Sequence, residues 1–69
     1  MPLTLAGVGS VNLIRRIGGG AEVRKHLSDL GFVAGCEVTV ISEIGQNLIV
    51  QVKESRVALS REIAARIIV

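Results

Sequence analysis

The chain has 69 residues, a formal net charge of +2, one cysteine and 49% apolar residues. That length holds one domain with one core, and a single cysteine excludes an internal disulfide. Eight basic residues against six acidic ones permit an acidic protein surface or an anionic lipid face as partner, without requiring nucleic acid. No stretch approaches the ~20 apolar residues of a membrane helix. The N-terminus lacks the basic and apolar regions of a secretory leader, so a cytoplasmic location is expected. A chain of this size buries only about 60% of its unfolded surface. Its apolar excess therefore either fills an aliphatic barrel core or leaves surface for a partner or a second copy, and the two readings coexist.

In chain order, Gly7 and Gly9 flank Val8 and mark a first turn. Residues 10–17 read as a strand with a bend near Ile14, and Gly18, Gly19 and Gly20 form a flexible joint. A helix follows over residues 21–30. Val23, Leu27 and Leu30 recur at helical spacing, and Arg24, Lys25 and Asp29 fall off that stripe toward water. Gly31 sits where a helix stop needs positive φ. Phe32 and Val33 are expected to return to the core, and Gly35 supplies a second bend. Residues 37–42 alternate as a strand, residues 43–46 turn around Gly45, and residues 47–53 alternate again except at Ile49. Glu54 and Ser55 turn into a short strand over residues 56–59. Ser60 is placed to cap one helical turn over residues 61–65. Residues 66–69 close the chain as a strand, with Ile67 and Val69 inward. The expectation is a mostly β fold: a small barrel of about five strands, with one helix after the first strand and a helical turn near the C-terminus. Closure favours it because it removes exposed strand edges.

The run Val23-x-x-x-Leu27-x-x-Leu30-Gly31-Phe32-x-x-Gly35-x-x-Val38-x-Val40 resembles the signature of the FeoA family. Residues 49–52, residues 57–64 and the ending Ile67-x-Val69 resemble that family too, in its order and spacing. The similarity spans nearly the whole chain, as a single FeoA-like domain over residues 1–69. It implies an SH3-like barrel acting as a non-enzymatic cytosolic accessory of ferrous iron uptake. The implied partner is a FeoB-type membrane iron permease, approached from its cytosolic face, which would bring the protein to the inner face of the membrane. The same domain type also occurs appended to iron- and manganese-responsive repressors. A chain starting at Met1, with no room for a winged helix, fits the stand-alone form.

The residues themselves offer little chemistry. Glu22, His26 and Asp29 share helical spacing, and a weak hydrated ferrous contact there competes with a solvated polar stripe. The stripe is the simpler reading, because a tight site wants three or four converging ligands. No metal site and no cofactor are expected. Cys36 reads as a small packing residue. The triple glycine lacks the lysine and hydroxyl of a phosphate loop. One His, one Cys and one Asp in no evident relay give no catalytic residues and no enzyme. Proline-rich peptides and single-stranded nucleic acid both need aromatic platforms, and Phe32 is the only aromatic residue.

What remains is a protein–protein surface. Arg24 and Lys25 on the helix, Arg15 and Arg16 before the triple glycine, and Leu27 as an apolar anchor if the barrel leaves it exposed are the candidate partner-binding residues. The alternative is a small nucleic-acid-binding or regulatory barrel using phosphate contacts alone. Self-assembly through edge strands is compatible with either role.

Overall fold

The computed structural model describes residues 1–69. A 3₁₀ turn, η1 (Leu3–Leu5), opens the chain and buries Leu3. Strands β1 (Val11–Leu13) and β2 (Arg16–Ile17) follow, separated by Ile14. Ile14 drops its side chain into the core, and the chain bends there. That bend splits the single strand expected over residues 10–17. β1 pairs antiparallel with β3 (Glu37–Ile44), whereas β2 pairs antiparallel with β6 (Ile67–Ile68). The fold therefore has six strands rather than about five, four in one sheet and two in a second.

Helix α1 (Ala21–Asp29) connects β2 to β3. Val23, Leu27 and Leu30 turn inward as their spacing dictates, with Leu27 fully buried. Leu30 is the last residue in helical conformation, and Gly31 takes φ 101 to reverse the chain. Phe32 returns to the core, but Val33 does not: it stays at the surface. The Cys36 amide donates to the Val33 carbonyl at 3.1 Å, and this tight turn holds residue 33 on the outside of the bend.

Strands β3, β4 (Asn47–Val52) and β5 (Ser55–Ser60) form an antiparallel meander, giving the sheet order β1-β3-β4-β5. Val38 and Val40 face Val52 and Val50 across the first pair, and Leu48 faces Leu59 across the second. These side chains point inward, as strand alternation requires. The register shifts between Val40 and Ser42. Ile41 is the extra residue of this bulge, which bends and twists the strand. Both hairpins have two-residue loops, Gly45-Gln46 and Lys53-Glu54, with positive φ at Gly45 and at Lys53. Ser60 caps the one-turn helix α2 (Arg61–Ala64) by accepting from the Ile63 amide at 3.3 Å. The Arg61 amide donates to the Gln46 carbonyl, and its guanidinium meets Glu43 at 3.2 Å, tying α2 to the first hairpin.

Thirteen aliphatic or aromatic residues from every layer make one buried cluster without a polar side chain. The chain ends lie side by side. The Met1 ammonium donates to the Val69 carbonyl, and the Val69 amide donates to the Met1 carbonyl, both at 2.8 Å.

Candidate partner-binding surface

Side chains at directly opposed positions of an antiparallel pair share a face. Arg16 opposes Ile68, whose neighbour Ile67 is buried, so Arg16 lies on the outward face of the β2–β6 ribbon. The Gly18 amide donates to the Arg66 carbonyl at 2.6 Å, continuing the same register. Arg66 is two residues from Ile68 and shares its face, so Arg16 and Arg66 project from one side of the ribbon. The aliphatic stem of Arg66 runs along the glycine joint, with its Cδ 3.5 Å from where a side chain on Gly19 would begin. Arg66 was not among the sequence candidates. The antiparallel return of β6 brings it back to Gly18, a long-range pairing with no local signal.

Arg15, Arg24 and Lys25 are exposed, Arg15 at the bend and the other two on the wet side of α1. Leu27 is corrected: it is 0% exposed, so it is a core residue and offers no anchor to a partner. It sits in the middle of the helix's apolar stripe, between Val23 and Leu30, and joins the core cluster.

The exposed apolar residues lie elsewhere. Val8, Val11, Leu13 and Val33 are open to solvent, together with Met1, Leu5 and Ile44. All but Ile44 fall within residues 1–33. Val11 and Leu13 oppose Thr39 and Glu37 on the outer face of the sheet. Alternation from residue 10 was visible in the sequence. Which face would be covered was not, because that depends on the pairing of β1 with β3 and of β2 with β6.

No cavity opens in the molecule, and no three His, Cys, Asp or Glu side chains converge. Glu22, His26 and Asp29 stand apart on the exposed face of α1. Cys36 is a free, half-buried thiol packed against the core. Phe32, the one aromatic residue, is fully buried, which leaves no stacking platform at the surface. No helix is long and apolar enough to cross a membrane.

The FeoA domain model matches residues 1–69, the full length described. The chain belongs to the FeoA family. Ten chains of solved structures match it. The crystal structure of an iron uptake regulatory protein, FeoA, is 26% identical with a TM-score of 0.89, covering 97% of this chain and 91% of that one. Stenotrophomonas maltophilia FeoA complexed with zinc, described as a prokaryotic SH3 domain protein, is 27% identical with a TM-score of 0.87, covering 99% and 87%. A manganese-dependent transcriptional repressor shares the fold at 17% identity and a TM-score of 0.87, over 97% of this chain and 39% of that one. No curated protein matches the chain. The fold is thus the SH3-like barrel of the FeoA domain, and the family ties the chain to ferrous iron transport.

Proposed function

We propose that this FeoA domain is a non-enzymatic accessory of ferrous iron uptake. It docks on the cytosolic face of a FeoB-type membrane iron permease and modulates its activity. The observation that carries this reading is the FeoA match along residues 1–69. The surface agrees with a docking role: exposed arginines and apolar side chains, and no converging catalytic or ligand groups. A single folded unit over residues 1–69 suits such an adaptor.

The test is retention of the detergent-solubilised ferrous iron permease of the same cell on the immobilised chain, with an unrelated protein of equal charge as control. Specific retention, with or without guanine nucleotide, is the expected result. Retention no greater than the control under both conditions would reject the adaptor reading.

A further inference from the structure

The bent strand β1–β2 has two edges, and neither is covered along its whole length: β3 pairs only with β1, and β6 only with β2. The Ile14 amide donates to the Cys36 carbonyl at 2.8 Å, toward β3, and the Arg15 amide donates to the Ile68 carbonyl at 2.7 Å, toward β6. Successive peptide groups of an extended strand point to opposite sides. The amides and carbonyls of Val11 and Leu13 therefore point away from β3, along the edge that β6 lines. In register, however, β6 covers only Arg16 and Ile17. Beside Val11 and Leu13 that edge carries no strand, and their side chains are 59% and 55% exposed.

The sheet's other outer strand, β5, carries Arg56 together with Ser55 and Ser60, the polar and charged residues that discourage edge-to-edge pairing. β1 has no charged residue and no proline. It thus combines free backbone donors and acceptors with apolar side chains at alternate positions, which is the requirement for strand addition.

Charge selects the occupant. No acidic residue precedes Glu22, while Arg15 and Arg16 follow directly after β1 and Ile14. Neither arginine is in an ion pair, since the only pair is Arg61 with Glu43. The acidic side chain in register with β1 is Glu37, opposite Leu13 on β3 and one strand in from the edge. Two unpaired guanidinium groups outweigh it. We infer that the open edge of β1 binds an extended partner segment, added as a further strand. That segment is apolar at the positions beside Val11 and Leu13 and bears a carboxylate facing Arg15 or Arg16. The inference rests on the docking role proposed above and assigns it a place.

The experiment has two arms and one control. In the first, the chain and its V11K/L13K variant are compared for retention of the solubilised permease, with Ile44→Lys as control because Ile44 is equally exposed (63%) at the far hairpin. In the second, a blocked octapeptide alternating valine and glutamate is titrated into isotope-labelled chain, and amide shifts and hydrogen exchange are followed. Without ligand, the Val11 and Leu13 amides should exchange fast and that of Ile14 slowly. The expected result is loss of retention for V11K/L13K but not for Ile44→Lys, with peptide-induced shifts and slowed exchange centred on Val11 and Leu13. Full retention by a folded V11K/L13K variant would overturn the edge while leaving the docking role intact. Peptide shifts at the edge with no permease retention by the unmodified chain would keep the edge and remove the permease. Peptide shifts centred elsewhere would overturn the proposed occupant. A dimer in light scattering that V11K/L13K dissolves would overturn it too, giving the edge to a second copy.

Discussion

The Phe32 amide donates to the Leu27 carbonyl at 2.8 Å, and both side chains are fully buried. With the Gly31 amide donating to the Ser28 carbonyl at 2.9 Å, this is the paired hydrogen bonding that ends a helix at a left-handed residue. It satisfies carbonyls that the last turn would otherwise leave open, and it aims Phe32 into the core immediately after the stop. Gly31 holds the device at φ 101. A side chain there would meet only Val52 Cγ1, at an ordinary 3.7 Å, so the cost of a substitution lies in the backbone. Gly31→Val and Gly31→Ala should each destabilise the fold by about 1–3 kcal/mol, read as a lower urea midpoint. A midpoint equal to that of the unmodified chain would rule out the left-handed stop.

Leu27 belongs to the same device. Leu27→Ala should cost about 2–5 kcal/mol, a large share of the ~3–10 kcal/mol expected for a chain of this length. Leu13→Ala, at an exposed position, should stay within about 0.5 kcal/mol. Thermal melts followed by circular dichroism separate the two. Similar melting of both variants would contradict the burial of Leu27.

The stretch from Ala21 to Val40 was legible, Val33 apart, because each signal in it is local: a 3.6-residue apolar stripe, a glycine at the stop and a glycine at the second bend. The central hairpins were legible from two-residue alternation. The sequence pattern missed features set by distant partners. Leu3 turns inward in a 3₁₀ turn that packs against α2. β1 and β2 separate only because β3 and β6 claim different halves of one segment. The Ile41 bulge falls where two consecutive apolar residues, Val40 and Ile41, interrupt an alternating run, a break that reading residues 37–42 as one regular strand passes over. Of the candidate surface, the exposed arginines were readable as charges, but not the pairing that sets Arg66 beside Gly18. Leu27 and Leu13 are the same residue type, and only the fold separates core from surface.

The second hairpin carries its own strain. Lys53 has φ 54 and is the only non-glycine residue with positive φ. Its side chain is exposed and makes no ion pair, and the bond from Gln51 Nε2 to its carbonyl at 3.4 Å would remain with glycine in its place. Lys53→Gly should stabilise the chain by about 0.5–1 kcal/mol, raising the melting temperature. A lower melting temperature would show that the lysine supplies a compensating interaction.

The cap of α2 is a smaller effect. The Ser60 hydroxyl accepts from the Ile63 amide at 3.3 Å, a long bond, so Ser60→Ala should cost about 0.5–1 kcal/mol. The Arg61–Glu43 pair is two-fifths exposed on each side, and Glu43→Gln should fall within the 0–1 kcal/mol of surface pairs. Equilibrium unfolding of both variants ranks them. The pair outweighing the cap would reverse the expected order.

Arg24 and Lys25 are exposed on α1 and free of ion pairs, so R24E/K25E should leave the melt unchanged. Each swap changes charge by two, taking the net charge from +2 to −2. Exposed charges act mainly on association rate and its salt dependence. The variant should therefore bind the permease more slowly at low salt and approach the unmodified chain at high salt, as measured by surface-immobilised kinetics. Unchanged rates at low salt would remove this face of the helix from the docking surface.

Met1 and Val69 hold each other through two hydrogen bonds, so the barrel begins and ends at one point. A unit built this way can be spliced into a loop of a host protein without prying the loop's ends apart. It can also be closed head to tail by a short peptide and reopened at either two-residue hairpin, because the break would fall in exposed backbone. The same geometry fits the recurrence of this fold within a repressor chain more than twice its length: one junction is enough to hang the barrel on another body.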